Sequence, residues 1–296
     1  MHELPQTRDL AVFVTVVEDG GFAEAARRLG TAPSTLSRAV NRLEAQLGVT
    51  LLRRTTRSVD LTPEGRDLHA SAREIVDRTE ALRDIASQGR APRGPLRVNA
   101  PVPFVLHVIA PNLVSFTEQY PEIDLSIDMT DNVVDLIGAH ADVAIRLGRL
   151  EDSELIRRPL GEAKWHLVAS PSYLDRLGWP EKPADLRMLK QVRFSNPAHI
   201  NELKFAGEAE VIPVPPSITA SNGEAVRQLV LGGLGIARFS DFMIARDILE
   251  GRLVELFPGQ LATPSLQINA VYMTRTSGLR RLAVFLDWLR KITSQS

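Results

Sequence analysis

Seven arginines lie between Arg27 and Arg57 (Arg27, Arg28, Arg38, Arg42, Arg53, Arg54 and Arg57) with a single acid, Glu44, a local charge of +6. Guanidinium groups stay charged at physiological pH and present paired N–H donors, the geometry that phosphate oxygens accept. Ser34, Ser37 and Asn41 are interleaved with them, adding short side chains of the kind that touch phosphates or base edges. The chemistry on offer is nucleic-acid recognition. A solvated helix face would carry the same charge, so charge alone does not choose between them; a scaffold that fits a groove must hold it. The whole chain has 35 Lys+Arg and 36 Asp+Glu, a formal charge of −1 over 296 residues, so the patch is local.

Other chemical candidates are weaker. The six histidines (His2, His69, His107, His140, His166 and His199) form no HxxxH pair, so no metal site is expected. Leu231-Gly232-Gly233-Leu234-Gly235-Ile236-Ala237 invites a nucleotide-loop reading. It follows helical spacing and leads into a strand, the reverse of a dinucleotide fingerprint, and it lacks a P-loop lysine. A helix cap and tight turn explain it better. Asp124 and Asp128 share a strand face with no nucleophile beside them. The absence of cysteine removes disulfides, thiolate metal sites and thiol nucleophiles. Neither an enzyme nor a cofactor is expected.

The scaffold is legible in apolar spacing. Leu10, Phe13, Val14 and Val17 fall at i, i+3, i+4, i+7, one helix face; Phe22, Ala25, Ala26 and Leu29 repeat it. Leu36, Val40, Leu43 and Leu47 form a third stripe ended by Gly48. The turn from Leu29 to Pro33 is short, so helices two and three read as a helix-turn-helix. Ser34, Ser37, Arg38, Asn41 and Arg42 point away from the third stripe, placed to enter a major groove at the helix N-terminus. Leu51 to Leu61 then reads as two short strands around a basic tip, a wing whose Arg53, Arg54 and Arg57 suit phosphates or a minor groove.

Thr62-Pro63-Glu64 is a helix start, with a capping hydroxyl, proline at the first position and an acid in the first turn. Leu68, Ala72, Ile75, Thr79, Leu82 and Ala86 follow at spacings of 4, 3, 4, 3 and 4, a heptad seam. A helix from Pro63 to Gln88 would span roughly 39 Å. The stripe could pack on its own chain, but its narrowness and small positions favour self-association, which would let two modules read two half-sites. The run Gly89 to Pro95 is dense in Gly and Pro and marks a domain boundary.

Beyond it, strands alternate with helices: Leu96–Asn99, a helical stretch from Phe104 to Tyr120 interrupted at Pro111, Ile123–Ile127, a short helix over Val133–Gly138, and Asp142–Leu147. Such alternation argues for open parallel sheets that take ligands beyond their strand ends. Candidate pocket residues are Asn99, Ala100, Val102, Thr130 and Arg146, then Phe194, Ser195, Ser221 and Asn222. Two helix N-termini with Arg146 nearby favour a small carboxylate. Each position also has a plain structural use: Asn222 could cap its helix and Arg146 could pair on its own subdomain. The 44% hydrophobic and 24% charged fractions are those of an ordinary globular protein of about two domains. No apolar run approaches the ~20 residues of a membrane span, and the N-terminus MHELPQTRDL does not read as a secretion signal. A cytoplasmic location is expected.

Taken together, LAVFVTVVEDGGFAEAARRLG (10–30), PSTLSRAVNRLEAQLG (33–48), LLRR (51–54) and LTPEG (61–65) resemble the DNA-binding domain of LysR-type transcriptional regulators. The resemblance continues through RGPLRVNAP (93–101), YPEIDLSI (120–127), DVAIRLG (142–148) and ASPSYL (169–174). It implies an α/β fold class with three parts: an N-terminal winged helix-turn-helix (1–62), a long linker helix for dimerisation (63–90) and a C-terminal periplasmic-binding-protein-like domain (91–296). That last part would hold two α/β subdomains, I about 91–163 with 268–296 and II about 164–267, the chain crossing near 161–168 and returning near 266–272. By the resemblance Pro33, Ser34, Ser37 and Arg38 take base-reading and groove-edge positions, and Arg53, Arg54 and Arg57 contact phosphates. The implied partners are double-stranded DNA, a small-molecule effector, further copies of the chain (a homodimer, by resemblance a homotetramer) and, as a candidate, RNA polymerase; none is a membrane. Ala32 and Gly21 stand where the family usually has Ser or Thr and Ser. The competing reading is a ligand-binding protein whose N-terminal module serves assembly rather than DNA.

Overall fold

Apolar spacing and helix caps account for the first unit of the structure, a computed structural model that describes residues 4–54, 59–86, 91–131, 141–150, 155–276 and 278–294. Helices α1 (Thr7–Glu18), α2 (Phe22–Arg28) and α3 (Pro33–Leu47) pack the three predicted stripes into one core, centred on Phe13, Val14, Val40 and Leu43, except Leu29 of the second stripe, which is the C-cap of α2 and stays exposed. Strands β1 (Leu52–Arg54) and β2 (Val59–Leu61) pair antiparallel as the wing; its tip, with Arg57, lies outside the described residues. The long helix α4 (Pro63–Ala86) starts where its cap predicts: Thr62 Oγ1 accepts from the Gly65 N–H at 2.9 Å and donates to the Thr50 carbonyl at 2.7 Å. Gly65 is required there, because a Cβ would sit 2.2 Å from the Leu51 carbonyl oxygen.

The α4 stripe divides between two environments. Ala72 is buried and Leu68 half-buried against the α1–α3 core, which corrects their assignment to a partner seam. A straight helix drifts against a strict heptad, and the inner face becomes Leu68, Ala72 and Val76, with Arg73 and Asp77 buried beside it. Arg73 donates to Glu18 at 2.6 Å and to Asp77 at 3.0 Å, tying α4 to α1. Ile75 and Leu82 stay exposed and Thr79 is half-buried; the Ala86 side chain lies outside the described residues.

Contacts place Met1–Pro92 with Met273–Ala283 in this first unit, and Arg93–Leu136, Ala141–Tyr272 and Val284–Ser296 in the second. Residues 273–283 therefore group with the first unit rather than with 268–296 as the sequence suggested; Arg281 donates to Glu80 of α4 at 2.6 Å.

The second unit runs β3 (Gly94–Ala100), α5 (Val102–Phe104), a π turn (Val105–Ile109), α6 (Ala110–Gln119), β4 (Ile123–Met129), β5 (Val143–Leu147) and β6 (Ile156–Ala163). It continues through β7 (Trp165–Ala169), α7 (Pro171–Leu177), β8 (Gln191–Phe194), β9 (Pro216–Ala220), α8 (Gly223–Leu231), β10 (Ala237–Ser240), α9 (Asp241–Leu249), β11 (Val254–Glu255), β12 (Leu266–Tyr272) and, from Val284 on, α10 (Arg280–Thr293), whose first turn belongs to the first unit. The first sheet has the order β4-β3-β5-β12-β6. The chain crosses to the second subdomain in one residue between β6 and β7 and comes back as β12. There β10-β7-β11 form one sheet and β8-β9 another, joined by a parallel bridge between Gln191 and Ile236.

Two expectations change. The sheets are mixed rather than parallel: β3 runs parallel to β4 and β5, but β12 is antiparallel to β5 and β6, and β7 to β10. The returning strand reverses direction because it re-enters from the second subdomain instead of over a crossover helix. Nor does the helical stretch break at Pro111. Proline clashes with the carbonyl four residues back, and the π turn just before it, where the Ala110 N–H reaches the Val105 carbonyl, widens the helix to accommodate the ring. The predicted Val133–Gly138 helix lies outside the described residues. Among the described residues no helix is long and apolar enough to cross a membrane.

Candidate nucleic-acid interface and ligand cleft

The outer face of α3 is assembled from its first two turns. Pro33 sits at the first helical position; Ser34, Arg38 and Asn41 are exposed and Ser37 half-buried, opposite the buried Leu36, Val40 and Leu43. Arg38 donates only to the Ser34 carbonyl, at 3.3 Å, and meets no acid among the described residues. Arg53 is exposed on β1. The side chain of Arg54 and all of Arg57 lie outside the described residues.

Three of the seven arginines are already committed. Arg27 pairs with Glu24 one turn away, and Arg28 with Asp19 at 2.8 Å. Arg42 corrects a prediction: its fork closes on the buried Asp9 of α1, Nε to Oδ2 at 3.1 Å and a terminal nitrogen to Oδ1 at 2.7 Å. That hydrogen bond and the Asp9 charge raise the Arg42 pKa further above its usual value. Arg42 thus braces α3 against α1 instead of presenting a free fork to DNA. Glu44, the one acid in the patch, has a use no spacing announced: it accepts from the Leu51 and Leu52 N–H groups at 2.7 and 3.2 Å, holding the wing to α3.

The predicted ligand residues separate into two groups. Asn99, Ala100 and Arg146 are buried in the first sheet, a correction to their placement on an open cleft wall. Asn99 donates to Asp128 at 2.9 Å and accepts from Arg146 at 2.7 Å, so Arg146 is occupied on its own subdomain. Burial lowers its pKa. A ligand would reach these side chains only by uncovering them. Val102, Thr130, Phe194 and Asn222 lie nearer the surface, and Ser195 and Ser221 are exposed.

Asn222 caps α8 as foreseen, its Oδ1 accepting from the Glu224 and Ala225 N–H groups at 2.9 and 3.1 Å. Its Nδ2 reaches the other subdomain and donates to Asp131 at 2.7 Å, while Asp131 also accepts from the Val102 N–H at 3.0 Å. His107 meets Glu224 at 2.8 Å. Partial burial alone would raise the Glu224 carboxyl; hydrogen bonds from His107 and Gln228 and the charge of Arg227 outweigh it and hold it below the ordinary range. Asp131, His107 and Glu224 were absent from the sequence-derived set, since pairs 91 and 117 residues apart leave no local pattern.

Two further groups shape the second subdomain. Asn201 brackets Phe194, accepting from its N–H at 2.9 Å and donating to its carbonyl at 2.8 Å. Arg238, buried over the Trp165 ring at 4.6 Å, donates to the carbonyls of His199 and Glu202 and to Thr263. Burial brings its pKa down to about 10. The glycine-rich segment is a turn: α8 ends at Gly232, and Ile236 joins β8. Among the described residues no cluster of three metal-ligating side chains occurs.

Comparison with known proteins covers nearly the whole chain. A family model described as a bacterial regulatory helix-turn-helix protein of the lysR family matches residues 7–66, and one described as a LysR substrate binding domain matches residues 89–293. The HTH-type transcriptional regulator CrgA of Neisseria meningitidis serogroup C (strain 8013) is 39% identical over 285 residues, 96% of this chain and 95% of that protein. The solved structure of CrgA, a LysR-type regulator from Neisseria meningitidis, superposes with a TM-score of 0.65 at 38% identity over 96% of this chain and 97% of its own. The full-length structure of the Vibrio cholerae virulence activator AphB has a TM-score of 0.59 at 27% identity, covering 96% and 98%.

Proposed function

Since the chain belongs to the LysR family of DNA-binding transcriptional regulators, we propose that it reads a specific operator through the outer face of α3 and responds to a small carboxylate held between its two regulatory subdomains. The observation that carries the first half is the state of the arginines. Arg38 is exposed beside Ser34 on the first turns of α3, whereas Arg27, Arg28 and Arg42 are neutralised by acids of the same unit. In this reading Pro33, Ser34, Ser37 and Arg38 meet bases and groove edges, and Arg53, Arg54 and Arg57 meet phosphates. The second half is supported by a carboxylate already lodged between the Val102 N–H and the Asn222 amide. Ile75, Thr79 and Leu82 form the dimer contact of α4; a tetramer and a contact with RNA polymerase extend the same proposal.

The test is DNase footprinting of the full-length protein on the DNA upstream of its own gene, at ~150 mM salt with excess competitor DNA, where non-specific binding is weak. The expected result is a protected, pseudo-palindromic stretch. Binding that falls away uniformly as competitor rises, with no protected site on a genomic DNA library, would overturn the operator reading in favour of an assembly role.

A further inference from the structure

We propose that Asp131 is a latch between the two regulatory subdomains, holding them together until a ligand takes over its partners. The carboxylate bridges the starts of the two helical segments that face each other, one oxygen on the Val102 N–H at 3.0 Å and the other on the Asn222 side-chain amide at 2.7 Å. Asn222 has no second way to serve: its oxygen is taken up by the first turn of α8, so only the amide nitrogen points across. Two residues on, Glu224 makes the second tie, to His107. Between them sits Gly223, where a Cβ would lie 2.8 Å from Pro103 Cγ. One turn of α8 thus carries two polar links and a steric fit to the opposite subdomain.

The position of the latch makes it releasable. Asp131 is exposed, so solutes compete with it directly, and the subdomains are joined covalently where the chain crosses from β6 to β7 and where it returns into β12, crossings about which they can pivot once the latch lets go. An anionic ligand would seek the same two donors. The latch rests on the effector reading for what opens it, but not for its existence.

A charge-exchange experiment separates a latch from a simple helix cap. Asn222→Asp keeps the cap of α8, because Asp caps as well as Asn, but turns a carboxylate against Asp131. The double variant Asp131→Asn/Asn222→Asp restores one donor–acceptor pair with the roles exchanged. Hydrogen exchange of the full-length protein without added ligand is the readout. Asn222→Asp is expected to speed exchange about tenfold in peptides covering both Val102–Leu106 and Gly223–Val226, and the double variant to return both to within about twofold of the parent. The proposal is overturned if Asn222→Asp leaves both peptides unchanged, or if the double variant is no slower than the single one. Asp131→Ala gives an independent check: acceleration confined to Val102–Leu106 would reduce Asp131 to a local cap. Failure here leaves the effector reading untouched. That reading fails separately, if no small molecule from a carboxylate library shifts the melting temperature of the parent protein.

Discussion

Arg38 and Arg42 stand one helical turn apart on α3 and are expected to behave in opposite ways. Arg38→Ala should weaken operator binding by about 1–3 kcal/mol while sparing non-specific DNA, measured by competition titration at fixed salt. Equal loss on both DNAs would make Arg38 a phosphate contact. Arg42→Ala should instead lower the thermal midpoint, since it leaves the buried Asp9 without its fork; sequence preference at any half-site position should be unchanged. The arginine count was legible in the sequence, while the Glu24–Arg27 pair at i, i+3 was overlooked because Glu24 stands just outside the basic run. The pairing of Asp9 with Arg42, 33 residues away, was not legible, because an ion pair between two helices depends on how their axes cross rather than on any local period.

Periodicity carries furthest for elements. All three stripes of the first unit became helices, and Thr62 capped α4 as its type and place implied. What periodicity does not supply is the partner of a stripe. Leu68 and Ala72 look identical in kind to Ile75 and Leu82, yet the first two join the core of their own unit and the latter remain exposed. Helix ends are the other residue-level signal that persists. Ala32 occupies the N-cap of α3 with no side-chain hydrogen bond to the first turn, so Ala32→Ser should add about 1 kcal/mol to the stability of the recognition helix. Urea unfolding of the full-length protein would report it; an unchanged midpoint would mean that the helix start frays in both forms.

For the whole molecule, strand and helix alternation identified the α/β class but not the sheet order. The chain leaves the first sheet after β6 and completes it only with β12, more than a hundred residues later, so strand neighbours and directions are set by a long excursion that no window covers. The same long-range closure creates the His107–Glu224 contact and with it a pH dependence. Glu224 sits below the ordinary carboxylate range in the folded protein. Its contribution is therefore present above the unfolded value of about 4.3 and lost as the pH falls through the lower folded value. Melting temperatures of the parent and of Glu224→Gln should differ at about pH 6 and converge as the pH falls below the lowered folded-state value, where both side chains are neutral. A constant gap across that range would show that the variant perturbs packing rather than charge.

The wide turn at Val105–Ile109 has a consequence for how this chain tolerates insertions and deletions. A π turn holds one residue more than an α-helix of the same rise, a surplus that the ring of Pro111 keeps in place. Dropping one residue from 105–109, together with Pro111→Ala, should convert the segment to regular helix and leave Phe116 stacked against Phe285 and Trp288, with centroids now 5.3 and 5.1 Å away. Dropping one residue from 112–115 should swing that ring about 100° around the axis and empty the aromatic cluster. A scan of single-residue deletions in the Pro111→Ala background, scored by soluble yield, would then find one tolerant window in an otherwise intolerant helix, a frame-keeping spare residue ahead of the one ring that α6 buries.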